Sequence, residues 1–230
     1  MVYLRYINDG IYNAAFNMAV DRYLFSESIK ANDPNPILRI YRFENPSVTV
    51  GCGKNNVLPD YLAKTKIAQR PTGGGVVCHG EDLIYSVIVP FRLFDKLSHV
   101  LESYGEIHSV LIKALSEVGA EAELFSVGTK STPQDLCFQK PVLYDVMCCG
   151  RKIAGAGQKR SLGFLLHQGS IALDVLRELN RNISEIKLRQ SLANAFGNYF
   201  CCELREIPLV QEEISAWEGK EAIIPEPHMV

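Results

Sequence analysis

Hydrophobic residues along this chain follow two spacings, and the switches between them mark its elements. Short apolar runs bounded by Gly, Pro, Asn or Asp predict strands over 2–7, 37–41, 47–50, 83–89, 121–127, 143–149, 152–158 and 164–173. Apolar positions three and four apart predict helices. In 13–29, Phe16, Ala19, Val20, Tyr23 and Leu24 share a face. In 107–118, Ile107, Val110, Leu111, Ala114, Leu115 and Val118 do, and Gly119 is placed to end that helix. Stretches 188–200 and 209–217 also read as helical, with a short helix over 61–65. Asn32-Asp33-Pro34-Asn35-Pro36 and Glu44-Asn45-Pro46 read as turns, Gly150 as a tight one, and 223–230, with two prolines, as loose chain. Strands and helices intermix without strict β-α-β alternation. The expectation is an α+β fold, a largely antiparallel mixed sheet flanked by helices, forming a single domain over 1–230.

Composition narrows the function classes. The chain has 230 residues, 47% hydrophobic and 22% charged, with a net charge of -2. No global basic field argues for nucleic acid. No run approaches the roughly 18 apolar residues of a membrane span. The first residues lack the basic and apolar regions of a secretion signal, so a cytoplasmic protein is expected. The seven cysteines include two adjacent pairs and no Cys-x-x-Cys, which suits neither a disulfide framework nor zinc. They are expected to be mostly reduced, buried and inert, with Cys78, Cys148 and Cys149 packing in the core.

Three segments carry candidate chemistry. The first is Gly150-Arg151-Lys152-Ile153-Ala154-Gly155-Ala156-Gly157-Gln158, one lysine beside small residues that let a ligand approach the backbone. Taken alone, Arg151-Lys152 also fits the charged end of a hairpin. The second is Arg70-Pro71-Thr72-Gly73-Gly74-Gly75-Val76-Val77-Cys78-His79, where bare backbone N–H groups beside an arginine suit a carboxylate or phosphate. It is neither a Walker loop nor a dinucleotide fingerprint, and a flexible turn is the plain alternative. The third is Cys137, between Thr132-Pro133-Gln134-Asp135 and Gln139-Lys140-Pro141, a loop setting that can present a thiol to a cleft. A nearby ammonium lowers a thiol pKa. His79 and His167 fit either a pocket wall or interior hydrogen bonding.

Together these segments resemble the lipoate and octanoate branch of the biotin/lipoate protein ligase family. The matching pieces are Asn17-Met18-Ala19-Val20-Asp21, Leu38-Arg39-Ile40-Tyr41, Arg70-Pro71-Thr72-Gly73-Gly74-Gly75, His79, Tyr85-Ser86, Gly150-Arg151-Lys152-Ile153-Ala154-Gly155, Gln158 and Gln168-Gly169-Ser170, in family order. Cys137-Phe138, with Pro141 and Tyr144, is similar to the octanoyltransferases that carry a cysteine on a loop before the lysine. The resemblance implies the ligase-type catalytic fold. The familiar ligase C-terminal accessory domain is not expected, with little room after Phe200, which counts against a self-contained ligase, although some ligases use a separate partner chain. It implies transfer of octanoyl from acyl carrier protein to a lysine of a lipoyl domain, such as the glycine-cleavage H protein. Cys137 would form the acyl thioester and Lys152 would lower its pKa. Arg70, Gly73, Gly74, Gly75, Val76, Val77, Cys78 and His79 would bind substrate, with Gly155, Ala156, Gln158, His167 and Gly169. No metal or cofactor is then needed. The alternatives are an ATP- and magnesium-dependent lipoate ligase, a more distant lipoyl amidotransferase, and a non-catalytic lipoyl-domain or fatty-acid binder. Two departures pull in opposite directions. Gln69 stands where the family often has a second arginine, which disfavours an ATP user, while Gly75 follows the ligase pattern.

Overall fold

The computed structural model describes residues 1–53, 62, 67–126 and 141–215. In chain order the elements are β1 (Tyr3–Tyr12), α1 (Ala14–Lys30), β2 (Ile37–Phe43), β3 (Ser47–Val50), β4 (Ile67–Gln69), β5 (Val76–His79), β6 (Asp82–Pro90) and α2 (Val100–Glu117). Then come β7 (Glu123–Leu124), β8 (Val146–Cys148), β9 (Arg151–Ser161), β10 (Phe164–Ala172), α3 (Leu173–Leu179), α4 (Glu185–Phe200), β11 (Glu203–Glu206) and α5 (Gln211–Ser215).

Eight strands form one sheet in the order β11-β1-β2-β6-β10-β9-β8-β7, and β4-β3-β5 form a second, small sheet. In the large sheet β1 runs parallel to β11 and β2, and every other pairing is antiparallel. The fold is therefore the expected α+β arrangement with a largely antiparallel sheet. β6 and β10 are buried at every position, as befits unbroken apolar runs at the centre of a sheet covered on both sides.

Each face is covered by helices whose apolar stripes demand it. On one face α2 and α4 bury Ile107, Leu111, Leu192 and Phe196 against Tyr85 and Val87. On the other, α1 buries Phe16, Val20 and Leu24 against Ile7, Ile88 and Leu166. Asn13 caps α1 by accepting from the Phe16 amide at 2.9 Å, and Ser184 caps α4.

Several elements differ from the sequence expectation. α2 begins at Val100 rather than at 107, because its first turns expose Val100 and Leu101 and bury Ser103, so no buried apolar stripe marks them. The strand expected over 121–127 is only Glu123–Leu124 among the described residues. The one expected over 143–149 is only Val146–Cys148, since Tyr144 and Cys149 adopt positive φ. Leu173 starts α3 rather than ending a strand. Of the helix expected over 61–65 only Leu62 is described, and of that over 209–217 the described part is Gln211–Ser215. The loose stretch 223–230 lies outside the described residues. No helix among them is long and apolar enough to cross a membrane.

Candidate active site

The site lies on the α1 side of the large sheet, where the glycine loop folds over β9 and β10. A buried polar frame supports it. Arg39 on β2 is fully buried and donates to Asp21 of α1 at 2.8 Å and to Asp9 at 2.7 Å, with Asn17 Oδ1 also at 2.7 Å. Burial opposes the guanidinium charge, but Asp21, Tyr41 and Asp9 outweigh it and raise the Arg39 pKa. Asp21 also accepts from Tyr41, Ser86 and Gln168 Nε2. Gln168 Oε1 in turn accepts from Thr72 at 2.8 Å, at the entrance to the glycine run. The family-like pieces in α1, β2, β6 and β10 are thus one hydrogen-bonded scaffold.

The loop is held by close backbone approach. A Cβ on Gly51 would lie 2.0 Å from the Gly74 carbonyl oxygen, and one on Gly157 would lie 2.5 Å from that of Gly73. Gly74 itself has φ +106°, a region open to glycine. Arg70 is buried and turns inward. Its guanidinium donates to Thr49 Oγ1 at 2.8 Å and to the carbonyls of Gly75 and Gly73 at 2.9 and 3.3 Å. Its observed partners therefore belong to the loop and to β3. Thr49 Oγ1 also lies 2.7 Å from His79 Nε2, and His79 Nδ1 lies 2.7 Å from Asp82, which accepts from Ser170 as well. The hydroxyl–imidazole–carboxylate order resembles a hydrolytic triad, but Thr49 is fully buried, so the row ties β3, β5, β6 and β10 together. Val76 packs into the small-sheet core with Val48 and Val50, Val77 is half-buried and Cys78 is exposed.

Lys152 does not behave as a hairpin-end cation. The turn itself is made by Cys149 and Gly150, both at positive φ, and Arg151 points outward to Glu178. Lys152 points inward and pairs with Asp145 at 2.7 Å, the two side chains 7% and 4% exposed. The cause is a β-bulge. Val146 pairs with Ala154 but Met147 pairs with Lys152, so Ile153 is an extra residue on β9. The bulge puts Lys152 on the same face as Gly155, Gly157, Gln168 and Ser170. A Cβ on Gly155 would lie 2.9 Å from Lys152 Cε and 3.0 Å from its Nζ, so the glycine is the space the ammonium occupies.

Other expected site residues face the opposite way. His167 and Gly169 alternate with Gln168 and Ser170, so they point under α2. There His167 lies 3.1 Å from Tyr85 Oη and 3.0 Å from Gln158 Nε2, and Gln158 accepts from Ser103. A Cβ on Gly169 would lie 2.2 Å from the Tyr85 ring, and Ala156 is its cross-strand partner. Burial, reinforced by His108 and Arg160, pushes the His167 pKa well below the usual histidine range. Burial also lowers that of His108, and raises those of Tyr85 and Tyr104. These groups are uncharged at neutral pH. Cys137 lies outside the described residues.

The structure adds Asp145, Thr49 and Asp82 to the expected residues. Asp145 follows an apolar run closely enough to read as part of its strand, and only the pairing with Lys152 singles it out. The cysteines differ from expectation too. Among the described ones Cys148 alone is buried, while Cys52, Cys78, Cys149 and Cys201 are exposed, because strand edges and turns carry them. Among the described residues no group of three or more His, Cys, Asp or Glu is placed to hold a metal.

A sheet of this order, with a glycine loop closing on Gly157 and an inward lysine against Gly155 on the same strand, defines a class. Residues 13–214 match the lipoyl protein ligase A/B catalytic domain, and the chain belongs to that family. Among its relatives, octanoyltransferase LipM of Halalkalibacterium halodurans is 31% identical, covering 91% of this chain and 82% of the relative. Octanoyltransferase LipM of Bacillus cereus is 34% identical over 74% of this chain, and the match spans 65% of that protein, just under two thirds of its length. Among solved structures, a lipoate-protein ligase A bound with ATP superposes with a TM-score of 0.72 at 24% identity, covering 94% of this chain and 93% of the other. The ligase of a bi-partite system from Thermoplasma acidophilum gives 0.68 at 20%, covering 94% and 91%. These structures share the fold.

Proposed function

We propose that this chain is an octanoyltransferase of protein lipoylation, working through Cys137. The thiolate attacks the carbonyl carbon of an octanoyl thioester on acyl carrier protein, the carbon–sulfur bond to the carrier breaks, and the carrier leaves as its thiolate, which takes a proton from water. The ε-amine of a lipoyl-domain lysine then attacks the enzyme thioester. The amide forms, the amine proton is released and Cys137 returns as thiolate. Lys152 stabilises that thiolate and donates to the oxyanion of each tetrahedral intermediate. A thioester is already activated, so this reading requires neither ATP nor metal.

One observation carries it beyond the relatives' names. The amide of Phe125 donates to the Asp145 carbonyl at 2.8 Å, and the amide of Tyr144 donates to the Phe125 carbonyl at 2.9 Å. The chain that bears Cys137 therefore departs and returns at the partner of the inward lysine. The engaged state of Arg70 also supports a neutral thioester over a polyphosphate.

The test is mass spectrometry after incubation with octanoyl carrier protein in the absence of ATP. The expected result is one octanoyl adduct on Cys137, lost in Cys137→Ala and discharged by a lipoyl domain. No adduct, together with lipoylation that requires free lipoate and ATP, would replace this reading with the ligase.

A further inference from the structure

We propose that Asp145 is a positioning residue for acyl transfer, holding the Lys152 ammonium at a fixed point beside the glycine loop. This deepens the reading above and rests on Lys152 acting in the reaction.

Asp145 is built to stay still. Its Oδ2, which pairs with Lys152, also accepts from the Val142 amide at 2.7 Å, while its own amide donates to the Val142 carbonyl at 2.9 Å. The backbone on either side is clamped as well. The two bonds to Phe125, which follows β7, fix it from one side, and His108 Nδ1 of α2 lies 2.5 Å from the Tyr144 carbonyl. Tyr144 keeps a positive φ of 71°, and its ring fits against α2 because position 105 is glycine: a Cβ there would lie 3.3 Å from the ring. Holding a non-glycine residue at such a φ requires surroundings that over-determine it.

The chemistry needs this rigidity. A lysine side chain has a flexible four-carbon stem, and ordering it costs about 2 kcal/mol of rotamer entropy. A buried cation also needs a partner in place of water. A fixed carboxylate at 2.7 Å meets both needs, and the absent Cβ of Gly155 leaves the ammonium its place. Among the described residues, His108 and Tyr104 of α2 and Tyr85 of β6 feel the charges of the pair. Burial keeps the imidazole neutral and the phenols protonated. None of them supplies a counter-charge.

The experiment compares wild type, Asp145→Asn, Asp145→Glu and Lys152→Ala for octanoyl transfer. A displaced catalytic group costs on the order of 10²-fold in rate. Asp145→Asn is expected to lower kcat by about that factor with KM little changed. Asp145→Glu should restore part of the rate. If Asp145→Asn does not fold, the kcat of Asp145→Glu against that of Gly155→Ala, which crowds the pair, carries the same test. Wild-type kcat in Asp145→Asn, with Lys152→Ala inactive, would overturn this proposal and leave the transfer reading intact. Full transfer in Lys152→Ala would overturn both.

Discussion

On the α1 face of the large sheet, buried polar groups are charged and matched. Arg39 sits against Asp21 and Asp9, Lys152 against Asp145, and Arg70 against loop carbonyls. On the α2 face, the histidines and tyrosines are uncharged: His108, His167, Tyr85 and Tyr104 share hydrogen bonds and ring contacts, beside the Arg160 guanidinium that bonds Ser103. The same strands build both faces. The matched face can present a cation to a reaction. The α2 face provides shape and rigidity, and it fails when its neutral groups are forced to ionise.

Breaking the matched face at its deepest point should have the largest effect. Arg39→Ala leaves Asp21 and Asp9 without their counter-ion and should cost about 3–5 kcal/mol in denaturant unfolding. A loss below about 1 kcal/mol would mean the frame does not depend on its charges. Next comes Lys152→Ala, for which octanoyl transfer should fall by about 10²–10³-fold, the range for removing an oxyanion donor. Its far-ultraviolet circular dichroism should match wild type.

Acid separates the two faces more finely. Both histidines have folded pKa values below the unfolded one, which is about 6.5. Above that pH their contribution to stability is complete. As pH falls below it, the unfolded chain binds protons that the native state refuses, so stability drops by up to about 1.4 kcal/mol per pH unit per histidine. Unfolding midpoints measured from neutral to mildly acid pH should show this slope, and His167→Phe should reduce it. A slope unchanged in that variant would place the acid response elsewhere. The smallest effect belongs to Arg151→Ala, a neighbour of Lys152 that points to solvent. The exposed Arg151–Glu178 pair should contribute under about 1 kcal/mol, and transfer should be unchanged.

Much of this was legible in the sequence. The helix periods located α1 and most of α2 and α4, and the apolar runs located β6 and β10, because burial writes itself into spacing. The glycine–lysine segment and the family-like pieces come together in the structure as one buried cluster on the α1 side of the sheet. Direction was harder to read. Gln158 and His167 stood in motifs, but only strand register shows that their side chains lie under α2. Arg70 reads as an anion-binding candidate, and its bonds to Thr49 and to the Gly73 and Gly75 carbonyls are contacts that sequence does not display. Asp145 was invisible for a similar reason: its pairing crosses a hairpin containing an irregular step.

That irregular step has a consequence for the protein's tolerance to change. In a regular hairpin, residues 152 and 154 would lie on one side, and the lysine would be driven into hydrocarbon beneath α2. The extra residue at Ile153 reverses the count. The hairpin between Val146 and Gly155 should therefore accept substitutions at many positions yet reject the loss or gain of a single residue, even where every letter that matters is retained. In this stretch the inherited quantity is a length modulo two, and an alignment that slides one gap across it would superimpose a working enzyme on an inverted one.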